Sequence, residues 1–312
     1  MNKTDEWLKT TLFKNYTIET ALADASFRKY YRLRNGDKTA LLMDSSLEKN
    51  SLNSFLDVTC RLTGAGVCAP KIFEQNLEEG YLILEDFGTT HYLDILNQNN
   101  FRAFYTKAMN TILKIQKADV KELPLYDKKF LHVEMDLMQE WYLEKFLHVE
   151  LNGSQKELIA TTLDAISDVV LEQPQDVFVH RDFHSRNIML KNDNKIGIID
   201  YQDAMNGAIT YDLVSLLKDC YVAYERKEIK KLALEFRDKK GLKVADEIFL
   251  KWFDFMGMQR HIKVLGVFSR LHIRDKKNGY LKDMPLTLKY VIDTADRYNE
   301  TKQFANLLKN LK

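Results

Sequence analysis

A chain of 312 residues exceeds the length, about 250–300 residues, at which one hydrophobic core stops growing, so two lobes are expected. Its 46 Lys and Arg against 45 Asp and Glu leave a net charge of +1, which excludes the broad positive field of a nucleic-acid binder. Cys60, Cys68 and Cys220 lack C-x-x-C spacing, so neither a disulfide framework nor a zinc site is suggested, and all three are expected to be reduced and buried. No apolar run approaches the ~18 residues of a membrane span, and Met1 to Trp7 lacks the apolar stretch of a signal peptide. A cytoplasmic location is therefore expected, with no membrane partner and no obligate protein partner.

After a short opening helix, Phe27 to Arg34 and Lys38 to Met43 read as two strands joined by a hairpin turn at Asn35-Gly36, where both central positions want positive φ. Leu47 to Leu62 reads as a helix with Leu52, Phe55, Leu56 and Thr59 on one face, ended by Gly64-Ala65-Gly66. Lys71 to Glu74 and Tyr81 to Leu84 form a further strand pair across a Glu-Glu-Gly turn. The polar, Gly-ended segment Glu85-Asp86-Phe87-Gly88 leaves that small sheet.

Beyond residue 90 the pattern becomes helical. Phe101, Phe104, Tyr105, Ala108, Met109, Ile112 and Leu113 keep i, i+3, i+4 spacing, as do Met138, Trp141, Tyr142, Phe146 and Val149. Ser154-Gln155-Lys156-Glu157 reads as a capping box opening a third helix through Leu158, Ile159, Leu163, Ile166 and Val170. Short β-branched runs follow at 176–179, 187–190 and 195–199, the last two joined by a turn at 191–194. Leu213, Leu216, Leu217 and Cys220 mark another helix, and helices fill much of 230 to the end.

Between the first two of those runs lies Val179-His180-Arg181-Asp182-Phe183-His184-Ser185-Arg186-Asn187, and the third run ends in Asp200. This fits the phosphoryl-transfer template H-R-D-x-x-x-x-N with a second acid on a later strand end. The chemistry asks for these residue types. Magnesium wants hard oxygen ligands, which the Asn187 amide and Asp200 carboxylate supply, while Asp182 is placed to take the proton of an acceptor hydroxyl. Small sheet, polar connector and helical remainder make an α+β, bilobal, protein-kinase-like fold. The expected division is a nucleotide-binding lobe at 1–88, hinged at about 83–88, and a larger helical lobe at 89–312 with the catalytic loop and acceptor site. Backbone groups at Leu84, Glu85 and Asp86 are expected to meet the adenine of ATP.

The chain resembles the aminoglycoside-phosphotransferase and choline-kinase group of small-molecule kinases along nearly all its length. It is less like a protein kinase, because Tyr201-Gln202-Asp203 follows Asp200 in place of Phe-Gly and no Ala-Pro-Glu appears downstream. Within the group, six blocks resemble the anomeric kinases of N-acetylmuramate and N-acetylglucosamine. They are 23–30, 82–88, 180–187, 199–204, 210–217 and 259–266. The resemblance implies ATP and Mg²⁺ as cofactors and phosphorylation of the C1 hydroxyl of an amino sugar during recycling of cell-wall peptidoglycan. It implies phosphate contacts at Ser26, Phe27, Arg28 and Lys29, support of the catalytic loop by His180 and Asp212, and sugar recognition by Gln202 and Asp203. Arg260 and His261 are acceptor-side candidates, since a guanidinium suits the lactyl carboxylate of muramate.

One departure from the wider kinase pattern stands out. In Thr39-Ala40-Leu41-Leu42-Met43, Met43 falls where the phosphate-binding Lys of V-A-I-K belongs. Arg28, Lys29 or Lys49 is expected to serve the phosphates instead. Two alternatives remain: a kinase of an aminoglycoside or amino alcohol, and a nucleotide-binding module without catalysis. Against a cationic acceptor, 252–274 carries Arg260, His261, Lys263, Arg270, His272 and Arg274 but the single carboxylate Asp254.

Overall fold

The computed structural model describes residues 3–22 and 28–311. The helices are α1 (Lys3–Leu8), α2 (Asn50–Gly64), α3 (Tyr92–Ile95), α4 (Phe101–Ile115), α5 (Lys128–Leu137), α6 (Gly153–Glu172), α7 (Tyr211–Leu217), α8 (Arg226–Lys240), α9 (Asp246–Ile273), α10 (Met284–Ala295) and α11 (Lys302–Asn310). A π-helical segment at Met138–Phe146 follows α5 directly. The strands are β1 (Thr17–Leu22), β2 (Lys29–Asn35), β3 (Lys38–Asp44), β4 (Ile72–Asn76), β5 (Tyr81–Glu85), β6 (Val177–Val179), β7 (Ile188–Leu190), β8 (Ile196–Ile198) and β9 (Met205–Gly207). By contact the chain forms two compact units, residues 1–94 with 186–203, and residues 95–185 with 204–312.

The first unit is built on an antiparallel sheet in the order β1-β2-β3-β5-β4. Strand alternation puts Leu33, Ala40, Leu42, Tyr81 and Ile83 on one face, where Leu8, Trp7 and Phe13 close a core over them. Met43 and Leu82, paired across β3 and β5, are also buried, so β3 is apolar on both sides. The β2–β3 turn is centred one residue later than expected. Asn35 pairs with Lys38, leaving Gly36 and Asp37 central, and Gly36 alone of these takes a positive φ, +58°. Helix α2 starts at Asn50 rather than Leu47, because the Asp44 carboxylate accepts the Ser46 N–H (2.9 Å) and holds a turn there. Its buried stripe is Leu52, Phe55, Val58, Thr59 and Leu62, with Leu56 at the margin.

The antiparallel β7–β8 hairpin joins this unit through Leu190 N–H to Thr90 O and Ile198 N–H to Cys68 O, both 2.9 Å. These bonds explain why residues 89–94 and 186–203 group with the sheet, where an ordering along the chain put them with the helices. Gly197 on β8 permits this approach, since a Cβ there would stand 2.4 Å from the Phe87 ring.

In the second unit α9 is the central helix, contacting α5, α6, α7, α8, α10 and the π-helical segment. A helix apolar around its circumference belongs in a core, and α9 is buried almost continuously from Phe253 to Leu265. The capping box of α6 lies two residues before the expected one. Asn152 Oδ1 accepts the Gln155 N–H and Gln155 Oε1 accepts the Asn152 N–H, each at 2.9 Å. Strands β6 and β9 pair antiparallel. All three cysteines are free, but Cys60 is exposed and Cys68 half-exposed, contrary to the expectation that all were buried; only Cys220 is. Cys60 lies on the outer side of α2. Among the described residues no helix is long and apolar enough to cross a membrane.

Candidate active site

The loop after β6 belongs to the second unit as far as Ser185. Arg181 adopts the left-handed conformation, φ +75°, which a non-glycine residue holds only when its surroundings impose it. Asp212, in the first turn of α7, accepts the His180 N–H on Oδ2 (2.8 Å) and the Arg181 N–H on Oδ1 (3.0 Å). One buried and one half-buried donor of the loop are thereby satisfied. Burial drives the Asp212 carboxyl up to about 6 despite these bonds. His180 is buried and its Nδ1 accepts the Asp182 N–H at 3.2 Å. Further along, Ser185 N–H donates to Asp219 Oδ2 (2.9 Å). The turn that presents Asp182 is thus gripped on both sides.

Asp182 itself is half-buried. Burial raises its carboxyl, but the charges of Lys263, His184, Arg260 and Arg181 bring it to about 2. His184 is pushed by burial down to about 4 and is neutral near pH 7. Arg260 and His261 are neighbours on α9 with different surroundings. The Arg260 guanidinium is buried and reaches the Cys220 thiol at 3.5 Å; among the described residues it makes no ion pair. His261 faces the helix core. Its Nε2 lies 2.8 Å from the Lys218 carbonyl, its ring stacks on Tyr290 with centroids 4.8 Å apart, and burial lowers its pKa well below the usual range. The expectation of His261 as an acceptor-side residue is corrected on these grounds.

Asn187, Asp200, Gln202 and Asp203 come together in the first unit. The Asn187 carboxamide donates to Asp200 Oδ2 (3.1 Å), and Gln202 Nε2 donates to Asp200 Oδ1 (3.1 Å) and Asp203 Oδ2 (3.2 Å). Asp200 sits at φ +63°. What fixes that turn is Tyr201, fully buried, stacked on Phe55 of α2 (5.2 Å) with its hydroxyl 2.8 Å from Thr59 Oγ1. Gln202 and Asp203 line an open cavity of about 760 Å³ with Arg28, Lys49, Ser46 and Leu47.

The basic strand resolves into separate roles. Arg32 makes a two-pronged bond to Asp86 (2.7 and 3.1 Å) and Arg34 pairs with Glu19 (2.6 Å), so both are neutralised within the protein. Lys29 is exposed and does not line the cavity. Lys49 donates to the Glu78 carbonyl (2.5 Å) and among the described residues meets no carboxylate. Ser26 and Phe27 lie outside the described residues.

At the connector, the expectation of free backbone groups from Leu84 onward needs correction. β5 is flanked by β3 and β4, Leu84 pairs with both, and the Glu85 N–H donates to Lys71 O at 2.8 Å. The Glu85 side chain pairs with Lys191 (2.7 Å) and that of Asp86 with Arg32. The Glu85 N–H is therefore already paired within the sheet.

Two acidic or basic residues escaped the sequence reading. Glu134 on α5 is buried and bonded to both Arg181 (2.6 Å) and Lys263 (2.8 Å). The signal was present, because Glu134 interrupts the buried stripe Leu131, Met135 and Met138 at helical spacing. Asp219 carried no such periodic signal, lying just past α7.

A carboxylate beside a carboxamide is the donor set of a hard cation. Asp200 and Asn187 therefore fit Mg²⁺, which is commonly held by one or two such groups, with phosphate oxygens and water completing its shell.

A small antiparallel sheet with one long helix, a helical remainder, and a His-Arg-Asp loop followed by Asn187 and Asp200 define a kinase-like phosphotransferase fold. Residues 17–238 match the phosphotransferase enzyme family, and the chain belongs to it. At 38% identity over 93% of this chain and 87% of the relative, it is similar to the N-acetylmuramate/N-acetylglucosamine kinase of Pseudomonas aeruginosa. It is 34% identical, over 99% of this chain and 95% of the relative, to the enzyme of the same name from Neisseria meningitidis serogroup B. Among solved structures it resembles the ADP-bound aminoglycoside phosphotransferase APH(2'')-Ib, with a TM-score of 0.64 and 15% identity over 94% of this chain and 98% of that one.

Proposed function

We propose that this protein transfers the γ-phosphoryl group of ATP to the anomeric C1 hydroxyl of N-acetylmuramate or N-acetylglucosamine. The observation that carries this reading is the pair of relatives bearing that substrate in their names, at 38% and 34% identity over nearly the whole chain. The site is compatible with it residue by residue. Asp182 receives the proton as the sugar oxygen forms its bond to phosphorus and the bond from phosphorus to the ADP oxygen breaks. Asn187 and Asp200 would hold Mg²⁺, which supplies neutralisation of phosphate charge. Arg28 and Lys49, which share a cavity, take the phosphate-binding role that a thioether at Met43 cannot perform. Gln202 and Asp203 line the same cavity and carry the donor and acceptor groups that sugar hydroxyls or an N-acetyl group require.

The buried guanidinium of Arg260, which makes no ion pair among the described residues, suits the lactyl carboxylate of muramate. Dependence on ATP as the phosphoryl donor supports a cytoplasmic location.

The test is ADP release with Mg²⁺-ATP against a panel of acceptors: N-acetylmuramate, N-acetylglucosamine, an aminoglycoside and choline. Turnover on the two amino sugars is expected, falling roughly 10²–10⁴-fold in Asp182→Asn. Arg260→Met should lose activity on N-acetylmuramate while sparing N-acetylglucosamine. Preference for the aminoglycoside or choline would overturn the reading.

A further inference from the structure

Arg181 takes no part in the chemistry assigned to Asp182, Asn187 and Asp200, yet it is held from three directions. Its backbone is in the left-handed region, its N–H is bound by Asp212, and its guanidinium lies 2.6 Å from Glu134 and over the Phe130 ring at 5.4 Å. Glu134 is the node of this arrangement. Its Oε1 also meets Lys263 (2.8 Å), and its Oε2 accepts from Gln259 Nε2 (3.1 Å) and the Tyr126 hydroxyl. Lys263 in turn reaches the Tyr211 hydroxyl (3.3 Å), at the start of α7. Four donors thus converge on one carboxylate exposed to only 6%. Burial alone would raise that carboxyl, but Lys263 and Arg181 hold it at about 2.

A buried ion network is a weak source of net stability. Well-packed apolar residues commonly replace a buried ion network at no loss, whereas an ion stripped of its partner is costly. The position of Glu134 is one of an otherwise apolar stripe. What a carboxylate adds there is a fixed direction for the guanidinium of the residue immediately before Asp182. In kinases whose loops are ordered by modification, the anion that pairs with an arginine arrives as an added phosphate. Here a carboxylate of the chain itself occupies that place.

We propose that Glu134 is a positioning residue of the phosphoryl-transfer loop: it is the resident counter-anion of Arg181 and, through Arg181, fixes the turn that presents Asp182. This rests on the phosphotransferase reading of the loop. A misplacement of about 1 Å at a reacting group costs on the order of 10²-fold, and that is the scale expected.

The experiment compares Glu134→Gln and Glu134→Asp with the wild-type chain in steady-state kinetics, and by hydrogen–deuterium exchange of the peptide spanning 178–186. Glu134→Gln should lower kcat about 10²-fold with KM for ATP nearly unchanged, and should speed exchange in that peptide. Glu134→Asp should recover much of the rate, because the charge is kept. A folded Glu134→Gln protein with wild-type kcat and unchanged exchange would overturn the proposal. If Glu134→Gln fails to fold, Arg181→Met, which leaves Glu134 bonded to Lys263, Gln259 and Tyr126, should show the same loss of kcat; wild-type kcat there overturns the proposal equally. A wild-type chain without turnover would refute the function above but not this inference, which the exchange of the 178–186 peptide still decides.

Discussion

At the scale of single residues, Asp212 links the loop to acidity. Burial sets its carboxyl at about 6, above the ~3.9 of a free Asp, so in the folded protein it protonates early and then offers its two loop N–H donors a weaker acceptor. The activity is expected to fall as pH drops through about 6, while Asp182, held near 2, adds no limb in that range. Asp212→Asn should remove this limb and lower the plateau, as pH profiles of kcat/KM would reveal. A profile flat between pH 5 and 7, values about the expected midpoint, would contradict the assignment. For stability the sign is opposite. Between about 4 and 6 the folded state binds the extra proton, so the contribution of Asp212 decreases as pH rises through that window. Glu134 and Asp254, both lowered to about 2, stabilise the fold above the ordinary carboxyl range and lose that contribution as pH falls toward 2.

Among elements, α9 bears the greatest constraint. Asp254 on it is buried against Lys218 (3.4 Å), Arg226 (2.6 Å) and the Tyr298 hydroxyl (3.0 Å). Asp254→Asn leaves two cations without their carboxylate and should cost about 3–5 kcal/mol, seen as a lower denaturant midpoint with an unchanged slope. Gly266 lets the same helix pass over the end of α5, where a Cβ would stand 2.4 Å from the Leu137 carbonyl carbon. Gly266→Ala should therefore destabilise by about 1–3 kcal/mol through overpacking, although alanine favours helix; a rise in melting temperature would contradict that. Sequence legibility followed how local each cause is. Apolar periodicity marked α2, α4 and α6, and the Asn35-Gly36 turn marked the β2–β3 hairpin. The π-helical segment was read only as ordinary helix, because its widened winding answers to packing against α9 rather than to side-chain spacing. β1 and β9 were missed for a related reason. β9 spans only Met205–Gly207 and owes its existence to its partner β6. The capping box was placed at Ser154 because serine is a common cap, whereas Asn152 holds the position.

In the whole molecule, the site was legible where the chemistry demands fixed residue types and illegible where it depends on which side chain happens to be satisfied. Asp182, Asn187 and Asp200 stand in a spaced motif, and Asp212 was named from the family resemblance. By contrast, nothing in the sequence around Arg32 and Arg34 announces that they pair with Asp86 and Glu19. His261 looked equivalent to Arg260 until the helix turned it toward Lys218 and Tyr290. Met43 belongs to the same class. It has no exposure at all, so Met43→Lys is expected to bury an ammonium and lower the melting temperature without lowering KM for ATP; a tighter KM would mean that this strand position still faces the phosphates. The central claim concerns which atom receives the phosphoryl group, and ³¹P NMR of the protein with Mg²⁺-ATP and an equimolar mixture of N-acetylmuramate and N-acetylglucosamine tests it directly. The account predicts a new sugar 1-phosphate resonance accompanied by ADP. Phosphate on another hydroxyl, or ATP left unchanged, would contradict it.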